Sequence, residues 1–385
     1  MSLVNNNSNE INSYIALCKP GLAEYCNKEL EEFQQQIEIT NILKDTESVV
    51  FSLKNKDLLE GFQKISISYS LSKLIWQGED PELVNSLDVE TVKKLILDIV
   101  DFSNTEKKES YNFRVLCEGI SGNENRIQYC SIVQKALTIL FGKQGIKLVV
   151  DYKNPEFVFS LSLEDATKTK KFSLGLKLHQ KELDKREWRV YTHKASFRGD
   201  FASTICQLAE IKKGDSTLFL FCRDGAIAIE SALQKNNFPI REVSKSLRNY
   251  VTSESVMTKE KINQDTQKII CLDDAGSNIR AAVNNAKMAG VNHKLKFELV
   301  QLDEVDFTLD EQSIDTAIVH ITGKDEKRIN EIFSQLNKIL KSGAKVLFIT
   351  RSGFEIEGDS TFSLKWYKQI LRGSGFIPLS LLIKN

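Results

Sequence analysis

The sequence predicts an α/β protein whose C-terminal half is a doubly wound, mostly parallel sheet, and three observations carry that expectation. Ser216 to Leu233 (STLFLFCRDGAIAIESAL) passes from an uncharged apolar run through Arg223, Asp224 and Gly225 into apolar residues at helical spacing, the pattern of a strand, a tight turn and a helix. Lys268 to Asp273 repeats the unit, ending in an acid before a helix over Asn278 to Gly290. Strands at Phe297 to Asp303, Ile314 to Ile321 and Ala344 to Thr350 continue the alternation, with a helix at about Glu326 to Leu340 between the last two. A helix near Leu364 to Leu371 and a closing strand over Ile377 to Ile383 complete the expectation. In an open parallel sheet a strand-to-helix turn lies at the carboxyl edge, where the first helical N–H groups face a ligand.

The first half reads differently. Residues 1–12, rich in Asn and Ser, are expected to be a loose tail. Residues 13–80 are read as a small α+β segment of ferredoxin-like pattern. It has a strand over Ser13 to Cys18, a helix carrying Leu22, Cys26, Leu30 and Phe33, strands at Ile37 to Asn41 and Ser48 to Leu53, a helix near Leu58 to Gln63, and a strand from Ile65 to Leu74. Residues 81–167 begin with a helical stretch, Asp80 to Asp101, and go on to strands at Tyr111 to Glu118, Ile146 to Val150 and Phe157 to Leu163 around a helix over Asn125 to Leu140.

Composition excludes some functions and leaves others open. The chain has 52 basic and 52 acidic residues, so net charge neither demands nor forbids a nucleic-acid partner. Seven cysteines without a Cys-x-x-Cys pair and four dispersed histidines predict no metal site and a reduced, cytoplasmic setting. No run of about 18 apolar residues predicts a membrane span. Charge is uneven locally. Lys168 to Arg198 holds ten basic residues against three acidic ones, with Trp188, Tyr191 and Phe197 interleaved. Such a stretch is either a phosphate-contacting surface with stacking aromatics or a linker hairpin whose aromatics pack at a seam.

With these residues in view, the chain resembles the class I S-adenosylmethionine-dependent RNA methyltransferases that carry a THUMP domain. Trp188 to Ala209 (WRVYTHKASFRGDFASTICQLA) looks like that family's lead-in to its first motif, and Asn284 to Val291 (NNAKMAGV) is close to its second helix. FLFCRDGAIAIESA stands where the family writes Asp-Pro-x-Cys-Gly-Ser-Gly-Thr and then Ile-Glu-Ala-Ala. Phe221, Cys222, Gly225, Ile227, Ile229, Glu230 and Ala232 agree, while Phe219, Leu220, Arg223, Asp224 and Ala226 depart.

The resemblance implies a Rossmann-like methyltransferase domain over 199–385, a basic linker hairpin over 168–198 and a THUMP RNA-binding domain over 81–167. It places S-adenosylmethionine against Cys222 and Gly225, with Asp273 on the ribose and Asp303 on the adenine. In the THUMP-like region Arg126, Lys143, Lys147 and Lys153 are either phosphate-facing or solvated surface charges, and the basic excess of 168–198 offers Arg186, Arg189, Lys194 and Arg198 as further phosphate-facing residues. After the fourth strand the family writes Asn-Pro-Pro-Tyr or Asp-Pro-Pro-Tyr to grip the target amine; this chain has His320, Ile321, Thr322 and Gly323. The sequence therefore predicts an RNA-binding protein of methyltransferase fold, acting on structured RNA such as tRNA or rRNA, with a degenerate catalytic site and a cofactor site either retained or lost. Two alternatives stand beside it: an active guanine-N2 methyltransferase with a divergent site, and a platform for a protein partner.

Overall fold

The computed structural model describes residues 12–33, 39–44, 47–53, 65–103, 108–166, 169–179, 181–212, 214–235 and 268–385. The expected tail up to residue 11, the helix near Leu58 to Gln63 and the charged segment Asn236 to Thr266 lie outside the described residues. The chain forms two compact units, one chiefly Cys26–Leu183 with the first strand, the other chiefly Asp184–Arg241 and Met257–Asn385.

The first unit is built on one eight-stranded sheet. Its elements are β1 (Asn12–Leu17), α1 (Ala23–Phe33), β2 (Ile39–Lys44), β3 (Ser48–Leu53), β4 (Ser70–Gly78), α2 (Val89–Ser103), β5 (Ser110–Glu118), α3 (Asn123–Gly142), β6 (Lys147–Val150), β7 (Phe157–Ala166) and β8 (Thr169–Lys177). The strand order β2-β3-β1-β4-β8-β7-β5-β6 carries the sheet across both N-terminal segments, because β8 pairs antiparallel with β4 on one side and with β7 on the other. The basic stretch is thereby divided: its first third is a sheet strand, and 181–198 carries no strand. The strand expected at Ile65 to Leu74 begins at Ser70 instead. The helix expected over Asp80 to Asp101 is a short 3-10 turn, Pro81–Ser86, capped by Asp80, followed by α2.

α3 buries Val133, Ala136, Leu137, Leu140 and Phe141, residues recurring at three- and four-residue spacing. They meet Phe113, Phe157 and Phe159 of the sheet, whose rings stack and cross at centroid distances of 5.5 to 6.3 Å. Each such side chain contributes about 1.5–3 kcal/mol on burial.

The second unit contains α4 (Gly199–Leu208), β9 (Thr217–Leu220), α5 (Ala226–Lys235), β10 (Ile269–Asp273), α6 (Gly276–Met288), β11 (Leu295–Leu299), α7 (Val305–Thr308), β12 (Ile314–His320), α8 (Ile329–Ile339), β13 (Leu340–Ile349), β14 (Phe362–Arg372) and β15 (Gly375–Lys384). Strand order is β11-β10-β9-β12-β13-β15-β14. β9 to β13 run parallel, and β15 is antiparallel to both neighbours. All four residues of β9 are buried, as a strand covered on both faces requires. The chain leaves β9 to one side for β10 and returns to its other side for β12, so the reversal point of the sheet lies at the carboxyl end of β9. Ligands of such sheets bind there.

The helix expected at Leu364 to Leu371 is a strand. β14 pairs with β15 around the two-residue turn of Gly373 and Ser374, with Gly373 at φ +61°. A glycine with positive φ leading a two-residue turn suits a tight hairpin. Trp366, Tyr367 and Ile370 favour a pleated strand, and pairing along the whole hairpin outweighs the local helical pattern.

A candidate nucleoside site closed by its own side chains

The turn after β9 is held in left-handed geometry at three places: Phe221 at φ +57°, Arg223 at +56° and Gly225 at +78°. For the two non-glycine residues this costs about 1–2 kcal/mol each. Gly225 also allows close packing of the turn on α6, since a Cβ there would stand 2.9 Å from that of Ala282.

The surroundings explain how the strained turn persists. Asp273, at the end of β10 and fully buried, accepts from the Arg223 N–H at 3.0 Å through Oδ2, and from the Ala275 N–H at 3.0 Å and Asn278 Nδ2 at 2.9 Å through Oδ1. Asp224, also fully buried, accepts from Arg189 Nε at 3.0 Å, the His193 N–H at 3.1 Å, the Ala226 N–H at 3.3 Å and the Ser196 hydroxyl. Asn285 of α6 accepts from the Val190 and Tyr191 N–H groups and donates to the carbonyls of Tyr191 and Asp224. Segment 189–196 and the turn are thus one hydrogen-bonded body.

Arg223 crosses the reversal point. Its Nη2 donates to Asp325 Oδ2 at 2.7 Å, the His320 carbonyl at 3.0 Å and Thr322 Oγ1 at 3.4 Å, while the guanidinium carbon lies 5.3 Å from the Phe221 ring centroid. Arg223 is 2% exposed and Asp325 1%. Asp325 also accepts from the Thr322 N–H at 2.9 Å and hydroxyl at 2.7 Å. Charge-assisted bonds of this kind are the strong ones, and burial makes the loss of either partner costly. The side chain therefore ties the end of β9 to the turn after β12.

His320 is buried at the end of β12, its ring 5.0 Å from that of Phe197. Burial, reinforced by the positive charge of Arg223, lowers its pKa to about 3, so the imidazole is neutral at physiological pH. Burial and Arg223 lower His193 as well.

The predicted site residues fall into distinct groups. Cys222, Gly225, Asp273 and His320 converge on the reversal point, with Cys222 half-buried. Asp303 stands apart: β11 ends at Leu299, and Asp303 is an exposed residue of the short 3-10 turn Leu302–Glu304. Among the bases, Arg186 is buried with Nε donating to Glu230 Oε1 at 2.5 Å and Nη2 to Oε2 at 3.2 Å. Gly199 lies so close that a Cβ there would stand 2.3 Å from Arg186 Nε. Arg189 is paired with Asp224, and Arg198 with Asp184 at 2.8 Å. Lys143, Lys147, Lys153, Lys194 and Arg126 are exposed. Asp325, Asn285 and the inward role of Asp224 escaped the sequence reading. The acid at 325, three residues past Thr322 at the start of a helical turn, was the available signal for the first.

The cavity lined by Ser196, Phe197, Phe219, Phe221, Arg223 and His320 has a volume of about 10 Å³. That is close to the minimum for one water. Arg223 stands where the resembled family writes glycine, and both oxygens of Asp273 accept protein donors. Among the described residues no cluster of His, Cys, Asp and Glu could hold a metal ion, and no helix is long and apolar enough to cross a membrane.

Comparison with known proteins places this geometry. Over 88% of the chain and 90% of the relative, the sequence is 21% identical to a tRNA (guanine(6)-N2)-methyltransferase of Methanocaldococcus jannaschii. A protein of the same description from Archaeoglobus fulgidus is 23% identical over 54% of the chain and 52% of its own length. Among solved structures, TrmN from Thermus thermophilus superposes with a TM-score of 0.66 at 15% identity, covering 97% of this chain and all of that one. SMU.472, determined as a complex with SAH, superposes at 0.67 and 14% identity, covering 97% of this chain and 98% of that one. At these identities the structural likeness speaks for the fold: an N-terminal α/β unit followed by a Rossmann-like methyltransferase domain. Residues 186–343 match the family model described as UPF0020, RMKL-like, methyltransferase domain, which covers most of the second unit.

Proposed function

We propose that this protein acts on tRNA as a member of the guanine-N2 methyltransferase lineage, with S-adenosylmethionine as the methyl donor of that lineage. The observation that carries the reading is the match to a tRNA (guanine(6)-N2)-methyltransferase along nearly the whole chain. It supports methyl transfer better than it supports an RNA-holding scaffold without catalysis. On this reading the first unit is a THUMP-type RNA-holding module, its exposed Lys143 and Lys147 facing phosphate, and the Arg223–Asp325 pair must open before the donor enters.

One observation favours the second reading. The guanidinium of Arg223 fills the reversal point through bonds to Asp325, His320 and Thr322, and the rigid Pro-Pro turn of the amine-methylating relatives is replaced by His320 to Gly323. A chain that keeps this pair closed would hold RNA without modifying it.

Calorimetric titration of the full chain with S-adenosylmethionine, alone and with total tRNA, together with transfer of labelled methyl groups, separates the two. Donor binding and label on guanine N2 establish the enzyme. RNA binding with neither donor heat nor label establishes the scaffold. The variant Arg223→Gly removes the plug and relieves the left-handed strain, so on the scaffold reading donor binding emerges only in that variant.

A further inference from the structure

The first unit contains a pair of sulfurs that the RNA reading leaves unused. Cys117 lies one residue from the end of β5, and Cys130 lies on the sheet-facing side of α3. Their Sγ atoms are 2.7 Å apart. That is closer than non-bonded sulfurs rest, and not far beyond the disulfide bond of about 2.05 Å. Cys117 Sγ also lies 3.4 Å from the Arg126 carbonyl and Cys130 Sγ 3.6 Å from that of Val115, so backbone on both elements fixes the pair. Both residues are half-buried at the margin of the first unit's core, reachable from solvent, whereas Cys18, Cys26, Cys206 and Cys271 are buried.

We propose that Cys117 and Cys130 form a reversible redox site, a dithiol that closes to a disulfide by exchange with a low-molecular-weight disulfide. The two thiols share a contact in which either sulfur can donate, and the charge of Arg126 lies beside both. With Cys117 as the donor, the contact and Arg126 lower the Cys130 pKa while the contact raises Cys117, and on this proposal Cys130 is the attacking sulfur. The Cys130 thiolate attacks one sulfur of glutathione disulfide, forming a mixed disulfide as one glutathione thiolate leaves. Cys117, losing its proton to solvent, then attacks the Cys130 sulfur and expels the second glutathione. One protein dithiol is oxidised, one glutathione disulfide is reduced to two thiols, and no other reactant is needed.

The bond would close the loop that holds Glu118, Gly119, Gly122 and Arg126. Glu118 is a polar hub of the sheet: it accepts from Lys177 Nζ at 2.7 Å, from the Ser70 hydroxyl at 3.0 Å and from the Ser160 hydroxyl. Arg126 Nε donates to the Ile120 carbonyl at 2.5 Å. Oxidation would staple the start of α3 to this hub and raise the first unit's resistance to unfolding.

The test is incubation of the full chain with glutathione disulfide, followed by thiol counting in denaturant and peptide mapping. The expected result is two fewer thiols than the seven cysteines of the chain, a link between residues 117 and 130, and full reversal by dithiothreitol. Cys117→Ser should retain glutathione on Cys130, because the resolving sulfur is gone. Cys130→Ser should take up none at residue 117 under the same exposure. An unchanged thiol count, a stable glutathione adduct in the unaltered chain, or a link through Cys222 or Cys271 instead would overturn the proposal.

Discussion

Asp273 and Asp303 follow neighbouring parallel strands and carry the same carboxylate, yet the structure uses them in opposite ways. Asp273 is fully buried and both its oxygens accept protein donors; Asp303 is exposed on a short turn beyond the strand end. The same division separates the bases. Arg186 is buried on Glu230, while Lys194 of the same basic stretch faces solvent. A charged residue near a ligand edge therefore does one of two jobs. Either it holds the edge together or it remains available to a ligand, and the difference lies in whether its bonding positions are already filled.

The largest expected effect comes from breaking the inward class. Arg186→Ala leaves the buried Glu230 with the Ser203 hydroxyl, at 2.7 Å, as its remaining side-chain donor among the described residues. Removing one partner of such a pair costs about 3–5 kcal/mol. Urea unfolding should show that loss, and if the protein binds RNA as proposed, the folded fraction should bind it unchanged. A drop in RNA affinity at unchanged stability would return Arg186 to the outward class. Asp273→Ala comes next. It strands the N–H groups of Arg223 and Ala275 and the Asn278 amide, and should cost about 3 kcal/mol, since each orphaned buried donor carries a penalty of order 1–3 kcal/mol that partial repacking reduces.

What the sequence revealed and what it hid divide along the same line. The strands around residues 217–220, 269–273, 314–320 and 340–349 were legible because a buried parallel sheet writes each of them as a short apolar run, with the helices between carrying their own period. The C-terminal hairpin was not, because LKWYKQIL also fits a helical face and only pairing with β15 decides between the two. At the site, the bulk of Arg223 was visible in place of a glycine, but its partner Asp325 lies 102 positions further along the chain, and Glu230 lies 44 beyond Arg186. Side-chain pairing over such separations leaves no periodic trace. The basic stretch therefore read as one surface, although its arginines mostly turn inward.

Acidification tests the neutral imidazole at the same edge. His320 has a folded pKa of about 3 against about 6.5 in the unfolded chain, so between those values the unfolded state binds the extra proton. Stability from this group is complete above about pH 6.5 and falls as pH drops, by about 1.4 kcal/mol per unit once well below 6.5. From pH 6.5 to 5 most carboxylates remain ionised, so the slope there belongs mainly to His320, with His193 contributing in the same direction. His320→Gln should flatten it. A slope unchanged in that variant would mean that His320 already binds its proton in the folded state, which the neighbouring Arg223 opposes.

The smallest stability effect belongs to Asp303, and it sharpens the contrast most. Its own carbonyl takes a bond from Gln335 Nε2 at 3.4 Å, a contact that substitution of the side chain does not remove. Asp303→Ala should change stability by no more than about 0.5 kcal/mol, as exposed positions do. If the protein binds S-adenosylmethionine and this acid meets the adenine, the same variant should weaken donor binding several-fold by calorimetry. Losing one hydrogen bond in that way, without loss of fold, is the behaviour of an outward-facing residue. A destabilisation as large as that of Asp273→Ala would instead mean that the turn at Leu302–Glu304 depends on its acid, and the distinction between the two strand-end carboxylates would fail.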